Sequence, residues 1–161
     1  MATTTRTRAA SRFDSLEQEV FLNLWRTYDR LRLMEDELFA RFDLTPQQYN
    51  VLRLLRTQLP DSRPTLWLAE RLVSRAPDIT RMLDKLEQRR LIARHRPADN
   101  RRTVLIDITS AGTGLLDKID EPLRACHERQ LGHLPAAELK RLAKMLQAAR
   151  APHESADSSW I

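Results

Sequence analysis

Six arginines fall in one short stretch: Arg89, Arg90, Arg94, Arg96, Arg101 and Arg102, with Asp99 the only acid among them. A guanidinium is always charged, and its planar donor fork matches phosphate oxygens. The charge is also concentrated there. Residues 65–109 carry ten basic and six acidic side chains, against ten and nine in residues 1–64 and seven of each in residues 110–161. A local basic patch on an otherwise balanced chain points to a polyanion at one site. The plainer reading is a solvated arginine-rich surface.

Other chemistries find little support. The only glycines are Gly112, Gly114 and Gly132, so no GxGxxG or GxxxxGK[ST] phosphate loop can be written. There is no HExxH or GxSxG, and His95, His127, His133 and His153 are scattered. No catalytic set, no cofactor and no enzyme activity are expected. Cys126, the single cysteine, rules out an intramolecular disulfide. It lies on an apolar stripe and reads as an inert buried thiol. Cys126 and His127 are neighbours and would project about 100° apart on a helix, so no metal site is expected. No apolar run approaches the roughly 20 residues that span a bilayer. The threonine- and arginine-rich start lacks a secretory apolar region and reads as a flexible basic arm, with the cytoplasm as the default compartment.

The elements that must hold the arginines can be read from capping and period. The chain has 161 residues, 42% of them apolar, enough for one domain with extensions. Ser15 and Gln18 form an S-x-x-Q start for a long first helix. Its apolar stripe (Leu16, Val20, Leu24, Tyr28, Leu31, Leu38) is widened by Phe21, Trp25, Phe39 and Phe42, more than one docking surface needs. Thr45-Pro46-Gln47-Gln48 starts a second helix whose buried face is Tyr49, Leu52, Leu55 and Leu59. Pro60 to Pro64 reads as a turn. A short helix follows over about 65–72, with Leu66, Ala69 and Leu72 inward. After the Val73-Ser74-Arg75 connector comes a helix over about 76–89, capped by Ser74 or Ala76. Its inner face is Ile79, Met82, Leu83 and Leu86, and its outer face includes Asp78, Thr80, Arg81, Asp84, Lys85 and Gln88. The period then switches to two strands, about 91–96 and 104–108, joined by the Pro97-Ala98-Asp99-Asn100 turn. Thr109 caps a further helix with stripe Leu115, Leu116, Ile119, Leu123 and Cys126, which Pro122 should kink or split. Gly132 stops it. A last helix over about 135–150 should bury Leu139, Leu142, Leu146 and Ala149.

Helix, short helix, tight turn, helix and basic hairpin is the order of a winged helix-turn-helix. Its second helix can enter a major groove while the hairpin reaches an adjacent minor groove. At these residues the chain resembles the MarR family of transcriptional regulators. Ile79 to Glu87, then Leu91-Ile92 and Arg94, are similar to that family's recognition-helix segment. Asp99-Asn100-Arg101-Arg102, then Val104-Leu105-Ile106 and Thr109, Ala111 and Gly112, resemble its wing. Thr45 to Tyr49 and Leu68-Ala69 also match, and the likeness spans about residues 15–150. Arg90 departs from it, standing where the family usually has glycine. Ile108 replaces a leucine before Thr109.

The resemblance implies a mainly α protein with a small two-stranded β wing and with N- and C-terminal dimerisation helices. The implied divisions are a basic arm at 1–14, a dimerisation helix at 15–44 and a DNA-binding domain at 45–109. Dimerisation helices follow at 110–150 and a mobile tail at 151–161. It implies that Arg101 enters the minor groove, oriented by Asp99, and that Thr80 and Arg81 face the major groove. The wider DNA-contacting set adds Arg75, Asp78, Lys85, Arg94 and Arg102. It also implies a homodimer on double-stranded DNA at a pseudo-palindromic operator, acting as a repressor released by a small phenolic or aromatic effector. Trp25, Tyr28, Arg32 and Trp67 are the candidate effector residues, against the plainer reading of both tryptophans and Tyr28 as core. Two other functions stay open: a winged-helix protein–protein module, and a helical dimerisation adaptor.

Overall fold

The computed structural model describes residues 13–73, 78–98, 100 and 102–154. The elements run α1 (Leu16–Ala40), α2 (Pro46–Arg56), β1 (Arg63–Pro64), α3 (Thr65–Arg71), α4 (Ile79–Gln88), β2 (Ile92–His95), β3 (Leu105–Ile108), α5 (Ser110–Leu131) and α6 (Ala136–Arg150). The sheet is antiparallel in the order β1-β3-β2. The two expected strands are there, in a register that pairs Ile92 with Ile108 and Arg94 with Ile106. The third strand is a correction: Arg63 and Pro64 leave the expected turn to pair with Ile106 and Leu105. An edge strand tolerates proline because one side of its backbone needs no partner.

Capping explains most helix starts. Thr45 and Gln48 close a full reciprocal box, with Gln48 N–H donating to Thr45 Oγ1 at 3.2 Å and Thr45 N–H donating to Gln48 Oε1 at 2.9 Å. Ser15 accepts from Gln18 N–H at 3.1 Å, but the Gln18 side chain accepts from Asp14 N–H at 2.8 Å rather than from Ser15. Helix α4 begins later than expected, with Asp78 as its cap, accepting from Arg81 N–H at 3.0 Å. Pro122 does not split α5, which is continuous from Ser110 to Leu131. Leu116, Ile119, Leu123 and Cys126 are buried on both sides of the proline, and this packing outweighs its lost hydrogen bond.

The core lies where α2, α3, α4 and α5 meet the sheet. Val51, Leu52, Leu55, Leu68, Leu83, Leu86, Ile106, Leu116 and Ile119 are almost wholly enclosed, each contributing about 1.5–3 kcal/mol of apolar burial. Gly112 lets α5 pass close to the end of α4, because a Cβ there would overlap the Leu91 carbonyl. In α3 the inward residue is Leu68, whereas Leu66 is exposed, as is Leu59 beyond the end of α2. The expected burial of the α6 stripe also fails within one chain. Helix α6 has no buried residue, and Leu142 and Met145 are exposed. Helix α1 buries only Leu38 and Phe39 and leaves Leu16, Val20, Phe21, Leu24, Trp25 and Tyr28 in the open.

Arg56 on α2 grips Asp120 on α5 with two parallel bonds of 2.8 Å, and Asp117 lies 3.4 Å from the same guanidinium. The hydrogen bond from Arg56 holds the Asp120 carboxyl below its ordinary value of 3.8. A depressed carboxyl stabilises the fold above its ordinary value, and that contribution is lost as pH falls through the lowered one. Arg56→Met is therefore expected to lower the thermal midpoint at neutral pH. The deficit should close as pH drops below 3.8. A deficit that stays constant from pH 7 to pH 2 in melting curves, on the order of the full pH range over which carboxylates titrate, would contradict this role for the pair.

Candidate nucleic-acid interface

Period and packing together set the outer face of α4. With Leu83 and Leu86 buried and Ile79 and Met82 half-buried, the opposite side must carry Thr80, Arg81, Asp84, Lys85 and Gln88. Thr80, Arg81 and Lys85 are exposed there, and no side-chain partner is seen for them among the described residues. Asp78 is exposed too, but its carboxylate is occupied as the helix cap. Arg75, Asp99 and Arg101 lie outside the described residues.

Arg94 has acidic partners on α4. Strand alternation turns it to the same side as Ile92, the side that faces α4. Its Nε donates to Glu87 at 2.9 Å, and its Nη2 reaches both Asp84 and Glu87 at 2.5 Å. The bond from Arg94 holds the Glu87 carboxyl below its ordinary value, and the same bond raises the guanidinium. These bonds tie strand β2 to α4. At the tip, the described neighbours make a compact turn. Asn100 N–H donates to Pro97 O, Thr103 N–H to Asn100 O, and Arg102 N–H to the Asn100 side chain, each at 3.2 Å. Arg102 is exposed.

The link from α4 to β2 is a Schellman turn. Arg90 N–H donates to Glu87 O at 2.8 Å and Leu91 N–H to Leu86 O at 3.0 Å, with Arg90 at φ 56°. This is the position at which the departure from glycine was noted. An L side chain there costs about 1–2 kcal/mol, while glycine's added chain entropy costs about 0.5–1 kcal/mol. Arg90→Gly is therefore expected to raise stability by about 0.5–1 kcal/mol in urea unfolding. A loss of that size would show that the Arg90 side chain makes a compensating contact. Thr109 closes the same junction from the other side, donating to Arg90 O at 2.7 Å while capping α5 at Gly112 N–H.

The four effector candidates are spread over separate surroundings. Trp25 lines an open groove on α1 with Phe13, Leu22 and Asp29. Arg32 pairs with Asp36 at 3.1 Å. Trp67 is half-buried between two guanidinium groups, with Arg71 4.5 Å and Arg63 5.6 Å from its ring centre. Tyr28 alone lines a cleft of about 410 Å³ between α1, α2, the end of α3 and α5. Its walls include Phe39, Tyr49, Leu123, Arg53 and His127. Phe39 and Tyr49 stack with centroids 4.7 Å apart, and His127 Nε2 lies 3.2 Å from Glu35. Sequence reasoning missed Arg53 and His127, because each sits on the polar flank of its own helix and only tertiary packing brings them to one opening. Cys126 is fully buried. Among the described residues no helix is long and apolar enough to cross a membrane.

A family profile described as the MarR family matches residues 44–104, from just after α1 to just before β3. The HTH-type transcriptional regulator MhqR of Bacillus subtilis is 26% identical over 80% of this chain and 88% of its own. A MarR transcription factor from Planctomyces limnophilus is 52% identical, covering 85% of this chain and 99% of its own, with a TM-score of 0.67. The Bordetella bronchiseptica BpsR structure, described by the regulation of its DNA binding by 6-hydroxynicotinic acid, shares the fold at a TM-score of 0.75. It has 21% identity and covers 84% of this chain and 95% of its own. The Bacillus subtilis and Planctomyces limnophilus relatives are transcription regulators.

Proposed function

The chain belongs to the MarR family of DNA-binding transcriptional regulators, and from that premise we propose that it acts as a homodimeric, ligand-responsive repressor in the cytoplasm. Residues 45–109 are the DNA-binding domain, and residues 15–44 and 110–150 the dimerisation helices. Two copies straddle a pseudo-palindromic operator. In each, α4 enters the major groove with Thr80, Arg81 and Lys85, and the hairpin carries Arg101 and Arg102 to the minor groove. The observation that carries this reading is the Arg94 bond set, which ties strand β2 of the hairpin to α4. A reader whose two contact elements are fixed relative to one another does not have to order them on binding.

The unburied apolar stripes of α1 and α6 support the dimer, and a two-fold dimer matches a palindromic site. The cleft around Tyr28 supports the effector. It is lined by aromatic and aliphatic walls with Arg53 and His127 beside them, which suits a small aromatic molecule with a polar edge. The test is duplex DNA capture from genomic fragments, followed by affinity measurement over a salt series and competition by aromatic acids on the best site. A DNA repressor gives a steep linear fall of log affinity with log salt. No duplex binding at low salt would favour a protein-contact role for the winged domain instead.

A further inference from the structure

Arg89 belongs to the basic stretch by sequence, yet its half-buried guanidinium has partners within the chain. It reaches back 46 residues to the end of α1, where Nη1 donates to the Asp43 carbonyl and Nη2 donates to the Phe42 carbonyl at 3.2 Å. Nε lies 3.8 Å from the Asp43 carboxylate. Both sides of this contact are stiff. Helix α1 closes with Asp43 N–H on Ala40 O at 3.1 Å, Leu44 N–H on Phe39 O at 3.0 Å, and Asp43 at φ 53°. Arg89 is the C-cap of α4 and is held from behind by the Schellman turn at Arg90. The cation thus sits just beyond the negative end of a 25-residue helix, on two carbonyls of the turn that follows it.

Helix α1 has its open apolar stripe at one end and this clamp at the other. We propose that Arg89 is a positioning residue, which holds the recognition helix at a set angle to the dimerisation helix and so sets the half-site spacing that the dimer accepts. This rests on the homodimeric operator reading given above. Geometry supplies the sensitivity. Helix α4 has ten residues and is about 15 Å long. A tilt of about 10° about its clamped end would carry the reading end about 2.6 Å, against a base-pair rise of about 3.4 Å. The dimer doubles any such error, because both heads move. Another tie between the DNA-binding and dimerisation segments, Arg56 on Asp120, holds α2 and not α4. Thr109 ties the same end of α4 to α5 through Arg90 O, and Arg89 is the side chain that ties it to the turn after α1.

The test is a set of operators whose half-sites are moved together or apart by one base pair, measured with parent, Arg89→Ala, Arg89→Lys and Asp43→Asn dimers. The parent should lose about tenfold in affinity at each wrong spacing, the scale of a poorly met contact set. Arg89→Ala should flatten that preference to less than about threefold while keeping its dimer mass. Arg89→Lys, which can meet one carbonyl but not both, should fall between. Asp43→Asn keeps the carbonyls and should keep the parent profile. A uniform loss across all spacings in Arg89→Ala, with the preference intact, would overturn the proposal, since mere destabilisation acts that way. If Arg89→Ala binds too weakly to profile, spin labels at Gln88→Cys in the DNA-free dimer decide. Cys126 is buried, so the label goes to the surface. The distance between the two labels should broaden without Arg89, and an unchanged distribution would overturn the clamp. A parent that binds one half-site as tightly as two would instead overturn the dimeric operator reading, and this inference with it.

Discussion

Phe21→Glu is expected to turn the protein into a monomer and to weaken operator binding about a hundredfold or more, the loss that follows when two linked half-site contacts become one. The ring of Phe21 leans on that of Trp25 with centroids 6.2 Å apart, yet both side chains are more than 60% exposed in the single chain. Leu16, five residues earlier, is 70% exposed, and Met145 on α6 is 60% exposed. Burying one such side chain against a partner gains about 1.5–3 kcal/mol. A two-fold interface makes each gain twice. A glutamate at position 21 would place two carboxylates in that contact with no cation opposite them on α1's own stripe. The DNA-binding segment should be spared, because the part of α1 that packs on it, Leu38 and Phe39, lies at the far end of the helix. Sedimentation would show half the parent mass and circular dichroism an unchanged helix content. A variant that remains dimeric and binds as the parent does would remove α1 from the interface.

The parts of this molecule that were legible in the sequence are those specified over a few residues. The Thr45–Gln48 box, the inward set of α4 and the switch to alternation at Ile92 all follow from spacing alone. Thr80, Arg81 and Lys85 come out exposed because helical period puts them opposite Leu83 and Leu86. The misses have a common cause in distance along the chain. Strand β1 is two residues long and half proline, so nothing local distinguishes it from a turn; its partner lies more than 40 positions away. Arg89 and Arg94 both counted toward the basic patch, yet one binds the turn after α1 and the other binds Asp84 and Glu87. Arg94 was within reach of the sequence: a residue two after Ile92 on a strand shares its inward side, and an inward arginine needs an acid. Arg89 was not, because its partners are backbone carbonyls, which every residue has. The α1 stripe was legible as too wide for one surface, while α6 gives no such warning, and its lack of burial emerges only from the packed chain.

Arg101→Ala is expected to weaken operator binding by about 1–3 kcal/mol, the scale of one strong contact to DNA. Arg101 itself lies outside the described residues, and the expectation comes from its place in Asp99-Asn100-Arg101-Arg102 and from the turn its neighbours make. A narrow minor groove concentrates negative potential, so an arginine inserted there does more than the same charge over an open phosphate. With Arg89 and Arg94 engaged by partners within the chain, fewer of the six arginines are left for DNA. That raises the share that must fall on the tip. The slope of log affinity against log salt should drop by about one charge per wing. Asp99→Ala is the sharper test. It removes a negative charge beside DNA, so bulk electrostatics predicts tighter binding. If Asp99 instead holds the Arg101 guanidinium ready by a charge-assisted bond, its loss frees a long side chain that binding must then order, and affinity falls. The double variant separates the two further. Once Arg101 is gone, orientation has nothing to act on, and Asp99→Ala should then tighten binding slightly. Circular dichroism must show the hairpin variants folded, since a collapsed wing would imitate the loss. Folded single variants that bind the operator as the parent does would take the hairpin out of the DNA contact.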